Sequence, residues 1–138
     1  MGRSGHLEAL VVFENWMQTT RDFLQLSASF PKRFRSSLTA RMENLFLDVA
    51  ELLTTAAYTR NRVALFDRLD DSLNRLRVMI RLCHEVGVIS DAQYHGLAQA
   101  LTETGRMIGG WKKAGGGGGS VVRGERSVEQ SPLSPVEP

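Results

Sequence analysis

Apolar residues recur at helical intervals through four successive segments, and no run of the chain alternates with the period of two that a half-buried strand requires. In the second segment, about 35–58, and the third, about 63–85, the intervals alternate between four and three, which is the stripe that a helix presents to an antiparallel neighbour. The stripe of the second segment is Leu38, Met42, Leu45, Val49, Leu52 and Ala56. The stripe of the third is Leu65, Leu69, Leu73, Leu76, Ile80 and Cys83. We therefore expect an all-α protein.

The first and fourth segments share this period and carry signals for their ends. The first, about 7–30, is interrupted by Pro31, which has no N–H to donate and disfavours helix at the preceding residue. Gly87 is a C-cap signal for the third segment, and Ser90 with Gln93 three positions later fits a capping box for the fourth. The first segment has two apolar rows, Leu10, Phe13, Met17 and Leu24 on one side and Trp16, Phe23 and Phe30 on another. The apolar face of the fourth is Tyr94, Leu97, Leu101, Ile108 and Trp111.

Four helices of about 20 residues with short connections favour an up-down-up-down four-helix bundle. A chain of 138 residues suffices for one core, so we predict a single bundle domain over residues 1–113. Residues 114–138 contain five consecutive glycines and three of the four prolines but no aromatic residue, which predicts a disordered tail. The sequence leaves open whether this tail is passive or folds on a partner.

Several functional classes are not expected from the motifs. No apolar run approaches the ~20 residues that cross a bilayer, and the N-terminus lacks a signal segment, so we expect a cytoplasmic protein that does not enter a membrane. Cys83 is the single cysteine, and its apolar neighbours predict a buried thiol. The spacings HxxxH, HExxH, CxxC, GxxxxGK[ST] and GxGxxG do not occur, so we predict no metal ion, no cofactor and no catalytic residues.

The arginines of the third helix form two rows beside its core stripe. At about 100° per residue, Arg68 and Arg75 lie to one side of the stripe, and Arg77 and Arg81 lie to the other. Guanidinium groups bind phosphates bidentately and stack on bases, which makes both rows candidate RNA contacts. The alternative is that they are solvated flanks whose stems cover the core. Their salt-bridge partners would then be Asp67, Asp70, Asp71 and Glu85.

The outward side of the third helix is also apolar, because Val78 lies opposite the core stripe and Leu82 lies close to Val78. A helix that is apolar on two sides predicts a neighbour. The net charge is only +2, but a homo-oligomer would bury this side and repeat each arginine row by symmetry.

Three glycines lie in the second half of the fourth helix, at Gly105, Gly109 and Gly110, and each costs roughly 1 kcal/mol of helix propensity relative to alanine. Close approach of another backbone would explain them, and so would fraying of the helix end. We expect Trp111 to be a packing anchor for Gly105 and Gly109 rather than a ligand contact.

Two interpretations compete with a non-catalytic, RNA-binding role. Arg77 and His84 have six residues between them, which resembles the Arg-x(4–6)-His motif of HEPN ribonucleases, themselves helical bundles. In that reading the two side chains would meet in a polar cleft and cleave RNA. In the other, the chain is a structural four-helix bundle that does not bind RNA.

One pair of segments resembles a known family. The stretch 76–82, with Arg77 and Arg81 in a Leu-Arg-x-x-x-Arg pattern, is followed by the stretch 105–111, which begins Gly-Arg and ends in tryptophan. Together they resemble the accessory variability determinant (Avd) proteins of diversity-generating retroelements, within the four-helix-bundle family that includes ribosomal-RNA intervening-sequence proteins. The Phe30-Pro31-Lys32 junction is similar too, and the resemblance spans about residues 13–113.

This resemblance implies a homopentameric barrel of four-helix bundles that associates with the reverse transcriptase of the retroelement and with its template RNA. The complex copies a template repeat into cDNA with errors at adenines, and the product replaces a variable repeat of a target gene in mutagenic retrohoming. The polymerase supplies the chemistry, and the accessory protein supplies a scaffold and nucleic-acid contacts. Arg77, Arg81 and Arg106 lie at the matching motif positions and are the first candidates for RNA or polymerase contacts. Lys32 and Arg33 follow, and Arg68 and Arg75 are candidates from the helix geometry alone.

Overall fold

The computed structural model describes residues 2–116, and over that range the regular structure is helical. Its four α-helices are α1 (Gly2–Ser27), α2 (Ala40–Ala57), α3 (Val63–Glu85) and α4 (Asp91–Trp111). A 3-10 turn (Lys32–Phe34) and a π-helical turn (Arg35–Thr39) precede α2, and a second π-helical turn (Lys112–Gly116) follows α4. The predicted all-α class with four helices is confirmed. Residues 117–138 of the predicted tail lie outside the described residues.

Each helix packs antiparallel to the next along the chain, and α4 packs back against α1. Trp16 and Ser27 of α1 contact Phe46 and Glu43 of α2 respectively, so the order of residues reverses from one helix to the other. The bundle thus has two ends. The junction end holds the turns between α1 and α2 and the loop between α3 and α4. The terminal end holds the start of α1, the end of α4 and the loop between α2 and α3.

Stacked aromatic rings join α1 to α2 in the core. Phe23 and Phe46 have ring centroids 4.4 Å apart, and Trp16 stacks on the same Phe46 ring at 5.1 Å. The buried Trp16 indole N–H donates a hydrogen bond of 2.9 Å to the backbone carbonyl of Phe46. Each aromatic pair adds about 0.5–1.5 kcal/mol to the free energy gained by burying the rings.

The buried faces of the helices differ in part from the predicted apolar stripes. On α1 the buried row is the one that contains Trp16, Phe23 and Phe30, whereas Leu10 and Leu24 of the other row are 50% and 40% exposed. Five further apolar residues of the helices are buried but lie outside the predicted stripes: Ala9, Val12, Phe46, Leu53 and Phe66. In a bundle each helix faces two neighbours, so the buried sector is wider than one stripe and is centred between its neighbours.

The end of α3 and the start of α4 match the capping signals in the sequence. Gly87 has a φ of +81°, and its N–H bonds to the His84 carbonyl while the Val88 N–H bonds to the Cys83 carbonyl, which is a Schellman cap. The Ser90 hydroxyl accepts from the Gln93 N–H at 3.1 Å, and the Gln93 side chain accepts from the Ser90 N–H at 2.9 Å. Both predicted caps are confirmed. The first helix instead ends at Ser27, three residues before its predicted limit, because turn hydrogen bonds lead the chain from Ser27 into Pro31.

Cys83 is fully buried, as predicted, with its Sγ atom 3.3 Å from the Met42 Sδ atom. Burial in this apolar setting raises the pKa of the thiol to about 11.

None of the described helices is long and apolar enough to cross a membrane.

Candidate nucleic-acid interface

The two arginine rows of α3 face different neighbours. Arg77 reaches α4, where its Nη2 atom lies 3.6 Å from the point that a Cβ at position 105 would occupy. Arg81 is one turn further along the same side of α3. Arg68 and Arg75 line the groove between α3 and α2 instead. The sequence prediction of one row on each side of the core stripe is confirmed.

We call the first surface the arginine edge and define it as Arg77, Arg81 and Arg106. Each guanidinium is held by a side chain of its own helix: Arg77 by Asn74 at 2.8 Å, Arg81 by Glu85 at 2.9 Å, and Arg106 by Glu103 at 2.7 Å.

The side chains of Arg81 and Arg106 are 71% and 70% exposed. The hydrogen bond that Arg81 donates to Glu85 raises the pKa of Arg81, so this group keeps its charge at any physiological pH. Arg77 differs because its partner, Asn74, is neutral, which leaves its positive charge uncompensated by that contact.

The glycines of α4 correct one expectation. The nearest neighbour of a Cβ at Gly105 would be the Arg77 guanidinium, and at Gly110 it would be the Glu8 carboxylate, so no backbone approaches either glycine closely. Gly109 faces open space, and α4 continues through Trp111, so fraying does not explain the glycines either. A Cβ at Gly105 would make only an ordinary van der Waals contact with Arg77, so no close contact explains this glycine. Trp111 is fully buried, as expected of a packing residue, but it packs on the edge of Phe66 rather than on the glycines.

The groove between α2 and α3 carries both signs of charge. Arg75 is paired with Asp71 at 2.8 Å, as the solvated-flank alternative predicts. Arg68 shares its part of the groove with Asp48, Glu51 and Asp71. In this groove three carboxylates accompany Arg41, Arg68 and Arg75, which makes it a weak anion surface. The arginine edge has two carboxylates for three arginines, and its Arg81–Glu85 pair is also one that the solvated-flank alternative predicts.

Lys32 and Arg33 lie exposed on the 3-10 turn at the junction end. The Arg33 guanidinium lies 4.6 Å from the Phe34 ring centroid, in a cation–π contact. Among the described side chains, no carboxylate lies within ion-pair distance of Lys32, Arg33 or the adjacent Arg35. This turn is thus a second exposed basic segment, separate from the arginine edge.

Arg77 and His84 have different contacts. His84 bonds through Nε2 to Asp91 at 2.6 Å and stacks on the Tyr94 ring, whereas Arg77 turns to Asn74 and Gly105. Seven residues of helix separate them by roughly 10 Å along the axis. Each side chain is thus held by partners of its own, and the contacts given for Arg77 and His84 do not join them.

Sequence reasoning missed the residues that position these side chains. Asn74 accepts a hydrogen bond from Arg77, and Asp91 bonds to His84. Asp91 had a signal, because the Ser90 cap places it at the start of α4, just across a short loop from His84. The described residues contain no group of three or more histidine, cysteine or acidic side chains that could hold a metal ion.

Comparison with known proteins identifies the family. A family model described as bAvd-like matches residues 10–115, which include most of α1, all of α2, α3 and α4, and every residue of the arginine edge. No curated protein and no solved structure matches the chain. The chain belongs to the bAvd-like family of accessory variability determinant proteins, which indicates an accessory role in a diversity-generating retroelement.

Proposed function

We propose that this protein is a non-catalytic subunit that binds the reverse transcriptase of its retroelement together with the template RNA, and so supports adenine-directed cDNA synthesis and mutagenic retrohoming. The observation that carries the proposal is the arginine edge, whose three guanidiniums come from the two motif segments of a chain in the bAvd-like family. Arg77 and Arg81 are the proposed principal contacts to RNA phosphates, and Arg106 extends them onto α4. Lys32 and Arg33 are proposed as a second contact, to RNA or to the polymerase, and Arg68 and Arg75 as minor ones.

We further propose that five copies form a ring. The outward side of α3 supports this, because Val78 is 66% exposed and Leu82 is 44% exposed although both are apolar. A symmetric interface that covered these residues would remove apolar surface from water and bring five arginine edges into one assembly. The net charge of one chain is only +2, so this repetition is what would give useful affinity for a polyanion.

The decisive experiment measures RNA binding by the purified protein over a series of salt concentrations. The variants are Arg77→Ala/Arg81→Ala and a control, Arg21→Ala/Arg60→Ala, which removes two exposed arginines elsewhere in the bundle. If Arg77 and Arg81 each neutralise a phosphate, their removal weakens binding and lowers the slope of log K against log salt by about 1.4 per bound edge on single-stranded RNA. The control should keep a slope close to that of the wild type.

Three further readouts complete the test. Native mass measurement should give a pentamer for the wild type and smaller species for Val78→Glu/Leu82→Glu. Co-purification with the reverse transcriptase of the same element tests the protein partner. The RNA recovered from each binding reaction should be intact on a gel, because Arg77 and His84 lie in separate environments. Absence of RNA binding, or equal losses in both arginine pairs, would overturn the assigned role of the arginine edge.

A further inference from the structure

Ring side chains gather on the surface where α3 ends and α4 begins. The His84 ring stacks on the Tyr94 ring with a centroid distance of 4.7 Å and an interplanar angle of 17°. The His95 ring lies beside Tyr94 at 5.7 Å, tilted by 53°. We call these three residues the ring cluster. The His84 side chain is 33% exposed, Tyr94 is partly buried and His95 is exposed, so the cluster is part of the surface.

Two rings of the cluster, His84 and Tyr94, are held in position by their contacts. His84 bonds to the Asp91 carboxylate, and the Schellman cap at Gly87 and the capping box at Ser90 fix the short loop between the two helices. Flat rings that are already fixed in position lose little conformational entropy when another ring stacks on them.

The ring cluster also lies next to the arginine edge. Arg81 precedes His84 by three residues on α3, which makes their side chains neighbours on the helix surface. A guanidinium that can bind a phosphate thus lies beside rings that can stack on a base. This is the combination by which proteins bind single-stranded nucleic acid, whose unpaired bases are free to stack.

We propose that the ring cluster is a stacking site for unpaired nucleobases, so that RNA held along the arginine edge passes the junction end as a single strand. This proposal rests on the proposed function, because it names the form of RNA that the arginine edge takes. The competing explanation is that the rings only hold α3 to α4. A purely structural contact would affect stability without distinguishing one RNA from another.

The test uses two labelled strands of equal length and equal phosphate count, one a single-stranded oligouridine and the other its abasic counterpart. Both can engage the arginines, but only the first can stack. The wild type should bind the oligouridine about tenfold more tightly, which corresponds to stacking of a single base. Tyr94→Leu/His95→Ala, which removes two rings, should bind both strands with the same affinity and keep the salt slope of the wild type. Tyr58→Ala, which removes an exposed ring at the terminal end, should behave as the wild type.

The possible outcomes separate this proposal from the proposed function. If the wild type binds neither strand, the proposed function fails. If the wild type binds both strands equally, or if the ring variant keeps the preference for oligouridine, the stacking site is overturned while the role of the arginine edge stands. His95→Ala alone, at an exposed position, provides a second variant in case the double substitution does not fold, and it should reduce the preference in part.

Discussion

The Arg77 guanidinium lies against Gly105, with its Nη2 atom 3.6 Å from the point at which a Cβ of residue 105 would lie. A glycine inside a helix costs roughly 1 kcal/mol relative to alanine. The distance is that of an ordinary van der Waals contact, so a methyl group fits whereas a larger side chain would displace Arg77.

We therefore expect Gly105→Ala to raise the free energy of unfolding by up to about 1 kcal/mol without changing RNA affinity, and Gly105→Leu to weaken RNA binding to the level of Arg77→Ala. Denaturant unfolding and RNA titration measure the two effects. Gly109→Ala is the control, because it gains helix propensity at a position with no neighbour within 4 Å. Wild-type binding by Gly105→Leu would show that the position of Arg77 does not matter.

The two tryptophans should respond differently to replacement by phenylalanine. Trp16 donates a hydrogen bond to the Phe46 carbonyl, whereas the buried Trp111 Nε1 has no partner among the described residues. Trp16→Phe loses that bond as well as volume, and we expect it to cost about 1–3 kcal/mol of stability. Trp111→Phe should cost about 1 kcal/mol less, since it removes an unsatisfied donor. Equal losses in urea denaturation would argue against the hydrogen bond as a source of stability.

Burial of the Cys83 thiol, with its pKa raised to about 11, predicts low reactivity at neutral pH. Alkylation by iodoacetamide should be slow in buffer and should accelerate with the unfolded fraction in urea.

The raised pKa of the Cys83 thiol also makes the stability of the fold depend on pH. The unfolded thiol ionises near its ordinary pKa of about 8.5 while the folded thiol stays protonated, so this contribution to stability is complete below that pH and is lost as pH rises toward 11. The stability difference between wild type and Cys83→Ala should shrink over the same range.

The bond to His84 lowers the pKa of Asp91. A lowered folded pKa stabilises the fold at pH values above the unfolded pKa of about 3.9, and this contribution is lost as pH falls through the folded pKa. We expect Asp91→Asn to be less stable than the wild type at pH 5, with the difference shrinking on further acidification. Thermal unfolding in a pH series measures this effect. In a His84→Ala background the difference should be much smaller, and an unchanged difference would assign the effect to the start of α4 alone.

The sequence predicted the helices of this fold better than it predicted which face of each helix is buried. Ser90 with Gln93 and the glycine at position 87 signal their caps through contacts within a few residues, so local sequence is enough to find them. The exposure of Leu10 and the burial of Phe46 depend on where the neighbouring helices lie. Periodicity gives the spacing of an apolar row but not which of two rows a neighbour covers.

The same distinction applies to the candidate site. The division of the α3 arginines into two rows follows from helix geometry and was predictable. The contact of Arg77 with Gly105 and the stack of His84 on Tyr94 join residues of two helices, so they depend on the axial register of α3 against α4. That register is set by core packing, including the contact of Phe66 with Trp111, and no local pattern encodes it.

Each exposed ion pair within α3 and α4 has a consequence for the kind of anion that this protein can retain. Glu85 and Glu103 cannot diffuse away from Arg81 and Arg106, so each acts as a permanently tethered competitor for its guanidinium. A free nucleotide must displace such a carboxylate with few contacts in return. A polymer that has displaced one carboxylate meets the next arginine at a high effective concentration. In the proposed RNA-binding role, the carboxylates would therefore favour long anions over the abundant small phosphates of a cell.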